Sequence, residues 1–118
     1  MPEHNPVQIE AAIRECSNRI SKGVTVCANA YSAFLAADHA HDIAEARAYM
    51  KHDGPAHEKK HAATLETIEE RQKRDEADAA YRYADRQARA LEAELRAWQS
   101  VGASVRQMYA VAGRGEGA

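Results

Sequence analysis

The chain is poor in most of what a thick globular core or a catalytic centre is made from. It has one Phe, one Trp and two Cys among 118 residues, and much of its apolar content is alanine. Few side chains are large enough to bury area at about 25 cal/mol per Å², which argues against a bulky core. Proline and glycine are scarce and gather at the N-terminus, at Asp53-Gly54-Pro55 and from Gly113 onward. Long helices with brief punctuation are the expected result. No apolar run is long enough for a spanning helix. The formal charge of −2 supplies no basic field to draw the protein onto nucleic acid or anionic membrane. The start, MPEHNPVQIE, lacks the apolar centre of a cleavable signal peptide. Cys16 and Cys27 lie about 16 Å apart on one predicted helix, too far to bridge, and read as free thiols of a reducing compartment. A cytoplasmic location is expected.

What is present is helical period. Tyr81, Ala84, Ala88, Leu91, Leu95, Trp98, Gly102, Val105 and Tyr109 recur at steps of three and four, forming the seam of an amphipathic helix that lies against another helix. Asp78, Asp85 and Glu92 each stand four residues before Arg82, Arg89 and Arg96, a spacing that adds ~0.2–0.5 kcal/mol per exposed pair. In the first half, Asn5-Pro6 is a helix start. A stripe of Ile9, Ile13, Cys16, Ile20, Val24 or Gly23, Cys27, Tyr31 and Phe34 or Leu35 follows it, read as one helix with room for a bend at the poor helix formers 23–26.

Asp53-Gly54-Pro55 closes one helix and opens the next. The expectation is an all-α single domain, a long antiparallel helical hairpin with coiled-coil-like packing. Its parts are a helix over about 6–52, a turn at 53–55, a helix over about 56–112 and a mobile tail at 113–118. Ile43 and Met50 fall half a turn away from Phe34, and the polar run 69–78 separates Ile68 from the seam that resumes at Ala77. The pattern therefore predicts a tip, 36–75, packed in a different register from the stem. Its competitor is a broken helix in each arm, near 35–38 and 69–76. Counting outward from the turn pairs Cys27 with Tyr81, Ile20 with Ala88 and Ile13 with Leu95.

Several motifs carry chemistry on paper. His57-Glu58-Lys59-Lys60-His61 matches the H-E-x-x-H zinc-protease string, in which two imidazoles one turn apart hold zinc and the Glu activates water. Two lysines inside the string and the lack of any strand pattern weigh against that chemistry. A simpler metal site at the His-rich tip, using His52, His57 and His61 with His39, His41 and Asp42 nearby, suits Zn or Ni. A solvated charged tip is the reading favoured over it, and no cofactor is expected. Arg82, Arg86, Arg89 and Arg96 form a ridge, and Lys59, Lys60, Arg71, Lys73 and Arg74 a second patch, of the kind phosphate contacts use. Three of the four ridge arginines have an acid one turn away, so a self-neutralised face is the better reading. Tyr81 and Trp98 fall on the seam and read as core rather than as base-stacking platforms. Cys16 and Cys27 read as small buried hydrophobes. No Ser-His-Asp spacing, phosphate loop or paired carboxylates stand out.

Residues 101–112 overrun the first helix in this register and leave Val101, Val105, Met108, Tyr109 and Val111 without cover. Either a break at Ser100-Val101-Gly102 folds the end back or a second chain covers it, and the second chain is the expectation. Trp98, Val101, Val105, Met108 and Tyr109 are the predicted self-contact of a dimer or higher homo-oligomer.

Two resemblances accompany this pattern. Tyr81-Arg82-Tyr83-Ala84-Asp85 is similar to the Tyr-x-x-x-Asp export signal of small secreted helical hairpins named for a Trp-x-Gly turn, although the turn here is His52-Asp53-Gly54-Pro55. Leu91-Glu92-Ala93-Glu94-Leu95-Arg96-Ala97-Trp98-Gln99-Ser100 with Ala103-Ser104-Val105-Arg106 resembles the C-terminal part of small coiled-coil proteins of bacteriophage genomes, encoded near recombination and replication genes. The second resemblance implies a phage-encoded accessory factor of the host cytoplasm. Such a factor is a non-enzyme that acts through contacts with an unidentified protein, the alternatives being a nucleic-acid-binding accessory and a metal-binding protein.

Overall fold

The structure, a computed structural model, describes residues 5–116, with side chains as far as Gly113. It is an all-α hairpin of three helices, α1 (Pro6–Lys51), α2 (Ala56–Glu66) and α3 (Ile68–Glu116), with no strand among the described residues. The start of α1 follows from Asn5: its Oδ1 accepts the Gln8 N–H at 2.8 Å and its carbonyl accepts from Ile9 at 3.1 Å. Pro6 takes the first helical position, where its missing N–H is not needed. At the turn, His52 N–H donates to the Ala48 carbonyl and the Pro55 carbonyl receives Glu58 and Lys59. A Cβ on Gly54 would meet His52 Nε2 and Glu58 Oε2 at 2.9 Å, so the glycine leaves these two side chains room to close over the turn.

The chain divides into two compact units. One consists of the described residues up to Val24 with those from Arg86 onward; the other is Thr25–Asp85. Both are antiparallel pairings of α1 with the returning arm. In the first, Ile9 and Cys16 are buried and Ile13 and Ile20 partly so, opposite buried Leu91 and Gly102 and partly buried Ala88, Leu95, Trp98 and Val105. Ile9 Cγ2 would lie 3.3 Å from a Cβ on Gly102, and Glu94 lies beside the buried Cys16 thiol. In the second unit, the Tyr31 and Tyr81 rings pack with centroids 5.0 Å apart. Tyr31 thus takes the place that counting outward from the turn assigns to Cys27. The register runs about one helical turn further than expected, which brings α1 down to Gly102.

Two other expectations are corrected. The helix α1 is unbroken through 23–26 and 35–38. Its inward positions continue at steps of three and four through Cys27, Ala30, Phe34, Ala37, His41, Ala44 and Ala48. The apparent phase shift came from Ile43 and Met50, which point outward and are 45% and 79% exposed. Small and polar residues carry the seam in this unit instead. The returning arm does break, but at Thr67 rather than over 69–76. Thr67 is 3% exposed and ends α2 at φ −112°, ψ 25°, and its hydroxyl donates to the Ala63 carbonyl at 2.7 Å. A β-branched residue bonded back to the preceding turn bends a helix in this way. At its far end α3 continues to Glu116, past the expected limit at 112, and residues 117 and 118 of the expected tail lie outside the described residues.

Candidate functional site

The predicted self-contact separates into two groups. Val101 and Val105 are partly buried, because α1 reaches Gly102 between them, and Trp98 is also partly buried and interacts within the chain. Beyond Val105 the cover ends. Met108 is 69% exposed, and Tyr109 and Val111 are 61% exposed. Tyr109 stands seven residues after Gly102 and therefore continues the inward line of α3, with no α1 opposite it. Ser104, Gln107, Met108, Val111 and Ala112 line a shallow, apolar recess on the same segment. From Ala97 to Gly113 the only charged residue is Arg106. An α-helical end so low in charge and so exposed has the character of a contact surface.

Two of the four ridge arginines interact within the chain. Arg82 Nε donates to Asp78 Oδ1 and Oδ2 at 3.1 and 3.2 Å, the pairing expected from their spacing. Arg89 also interacts within the chain, while Arg86 and Arg96 lie exposed on α3.

The three histidines proposed as a metal set are not assembled as one. His57 and His61 are exposed on α2, and His52 Nε2 instead faces Glu58 Oε2 at 3.6 Å. Glu58, the general base of the protease string, is thereby turned toward the hairpin turn. Lys59, inside the same string, lies 5.7 Å from the centre of the Tyr49 ring, a cation–π contact. Among the described residues no three His, Cys, Asp or Glu side chains gather to hold a metal ion.

A polar layer in the Thr25–Asp85 unit has no counterpart in the sequence reading. His41 is 7% exposed and receives Arg74 Nη1 at 3.4 Å on Nδ1. Arg74 also approaches Asp38 and Asp75 at 3.9 and 3.3 Å. His41 and Arg74, together with Glu45, Thr64, Thr67 and Arg71, line a recess of about 240 Å³. Glu70 points a buried Oε2 into the protein without a hydrogen-bond partner. The signal was available: His41 lies seven residues before Ala48 and seven after Phe34, on the same line of positions. Burial also pushes the Cys16 thiol above its ordinary value, and the negative charge and hydrogen bond of Glu94 push it further in that direction.

Comparison with protein-family models, with curated proteins and with solved structures finds no match for this chain. No helix among the described residues is long and apolar enough to cross a membrane.

Proposed function

We propose that the chain is a non-catalytic helical interaction module that self-associates through the end of α3. The observation that carries this reading is the continuation of α3's inward line to Tyr109, with Met108 and Val111 beside it, where α1 has ended. An apolar stripe with the period of a two-helix seam calls for a helix as its cover. The arginine ridge is a weaker basis for function, because Asp78 already neutralises Arg82. The likeness of residues 91–106 to coiled-coil phage proteins supports an accessory role in an infected cell, exerted through contacts with another protein.

Light scattering on the purified chain tests the reading. The native protein is expected above the mass of one chain, and Met108→Asp with Tyr109→Asp is expected to lower that mass. Both positions are exposed, so the substitutions leave the chain's own packing intact. An unchanged mass would refute the proposal.

A further inference from the structure

The recess beside His41 lies wholly within the Thr25–Asp85 unit and takes no part in the contact surface at the end of α3. Thr64, Thr67, Arg71 and Arg74 follow one another at steps of three, four and three, so they line one flank of the returning arm. His41 and Glu45, one turn apart on α1, close the other side. Polar groups set between two helices cost stability unless each is paired, and apolar side chains of similar size would pack the seam as well. Pairing here is incomplete. Among the described residues no carboxylate forms an ion pair with the exposed Arg71, and Arg74 meets Asp75 and Asp38 only at 3.3 and 3.9 Å.

The lining divides by hydrogen-bonding character. The two guanidinium groups can only donate. The Thr67 hydroxyl already donates to the Ala63 carbonyl at 2.7 Å and that of Thr64 to the Lys60 carbonyl at 3.0 Å, so toward the recess both oxygens can only accept, as does the Glu45 carboxylate. The register set by Tyr31 against Tyr81 brings Glu45 level with Thr67 and His41 level with Arg71. Acceptors therefore gather on the side nearer the turn and donors on the side away from it. His41 joins the two: Arg74 Nη1 lies 3.4 Å from its Nδ1, and Glu45 Oε2 lies 3.6 Å from its Nε2. The ends are thus one imidazole ring and its contacts apart, a span that a single phosphate group with its hydrogen bonds also covers. A recess of about 240 Å³ has room for such a group, since it exceeds the share of several water molecules at about 30 Å³ each.

We propose that the recess binds a phosphate group that still carries an O–H, either as the free ion or as a monoester. Its unprotonated oxygens accept from Arg71 and Arg74, whose planar guanidinium groups suit an oxyanion. Its O–H donates to Glu45 or Thr67. The acceptor side sets the selectivity. Sulfate has the same shape but no proton at neutral pH, and a phosphodiester, the form in nucleic acid and in most phospholipids, has none either. Each would set a bare oxygen against the Glu45 carboxylate, and such a contact rejects the ligand.

Calorimetric titration of the full chain tests this, with sodium phosphate and sodium sulfate at neutral pH and equal ionic strength. Phosphate should bind saturably and sulfate should not. Arg71→Gln should lower the affinity for phosphate about tenfold or more, as the loss of one charge-assisted contact does. Arg71 is exposed, so that variant should keep its helical far-ultraviolet dichroism. Arg86→Gln, at an exposed position of α3 outside the recess, should bind as the native chain does. Glu45→Gln sets an amide N–H where the carboxylate stood and should admit sulfate. Glycerol phosphate separates the two sources: tighter binding than the free ion assigns the recess to a monoester, and weaker binding assigns it to the ion. No saturable binding of either, equal binding of sulfate and phosphate by the native chain, or native affinity in Arg71→Gln would overturn the proposal.

Discussion

His41 Nδ1 lies 3.4 Å from Arg74 Nη1, across the seam between α1 and α3. A guanidinium can only donate, so Nδ1 accepts and the imidazole proton resides on Nε2, which faces Glu45 Oε2 at 3.6 Å. The two partners differ in what they lose without each other. Arg74→Leu leaves a buried ring nitrogen unpaired and should cost about 1–2 kcal/mol in urea unfolding. His41→Leu leaves Arg74 with Asp38 and Asp75 and places an apolar group on the seam, so its cost should be near zero or negative. A larger loss from His41→Leu than from Arg74→Leu would contradict this account.

The same pair marks where the fold stopped being legible in the sequence. The seam from Tyr81 to Val105 could be read because large apolar residues occupy its inward positions, and an amphipathic helix announces itself by that contrast. From Ala37 to Ala48 the inward positions hold only Ala and His, while Ile43 and Met50 face outward. Hydrophobic period then follows the wrong face, and a continuous helix looks like one out of phase. The surface at Met108 and Tyr109 was legible from the mismatch in arm lengths. Its boundary was misplaced by one turn, because nothing in composition fixes which layer of α1 meets Gly102.

Thr67 holds the break between α2 and α3 through its hydroxyl. Thr67→Val keeps the shape and removes the donor to the Ala63 carbonyl, so a loss of about 1 kcal/mol is expected. Thr67→Ser keeps the donor and loses one buried methyl, a loss of similar size, about 0.8 kcal/mol. The two are separated by helicity: the valine variant should join α2 to α3 and increase the dichroism at 222 nm, while the serine variant should not. Equal spectra would show that the hydroxyl does not make the break.

Gly23 and Gly102 both sit inside long helices with φ in the ordinary range, yet they answer differently to a methyl group. A Cβ at Gly23 meets nothing within 4 Å, so Gly23→Ala should gain about 0.5–1 kcal/mol from helix propensity and reduced unfolded-state freedom. At Gly102 it meets Ile9 Cγ2 at 3.3 Å, and displacement of Ile9 should offset most of the same gain. Thermal unfolding of the two variants in parallel decides the matter, and a gain at Gly102 equal to that at Gly23 would show that the layer is loose.

Cys16 provides a dependence on pH whose sign can be worked out. Its thiol is held above the ordinary value of 9.0, first by burial and then by Glu94. Between that value and the higher one of the folded chain, the unfolded state has released the proton and the folded state still holds it. Stability therefore falls as pH rises past about 9, and below that pH the group contributes no slope. Cys16→Ala should flatten the fall between about pH 8 and pH 10 relative to the native chain. The two proteins differ at residue 16 alone, so the difference between the two curves isolates the thiol. Alkylation checks the same environment independently: Cys27, which is only partly buried, should be modified before Cys16, which is 2% exposed. Parallel pH curves, or Cys16 reacting first, would mean that the thiol is not enclosed between the helices as the structure has it.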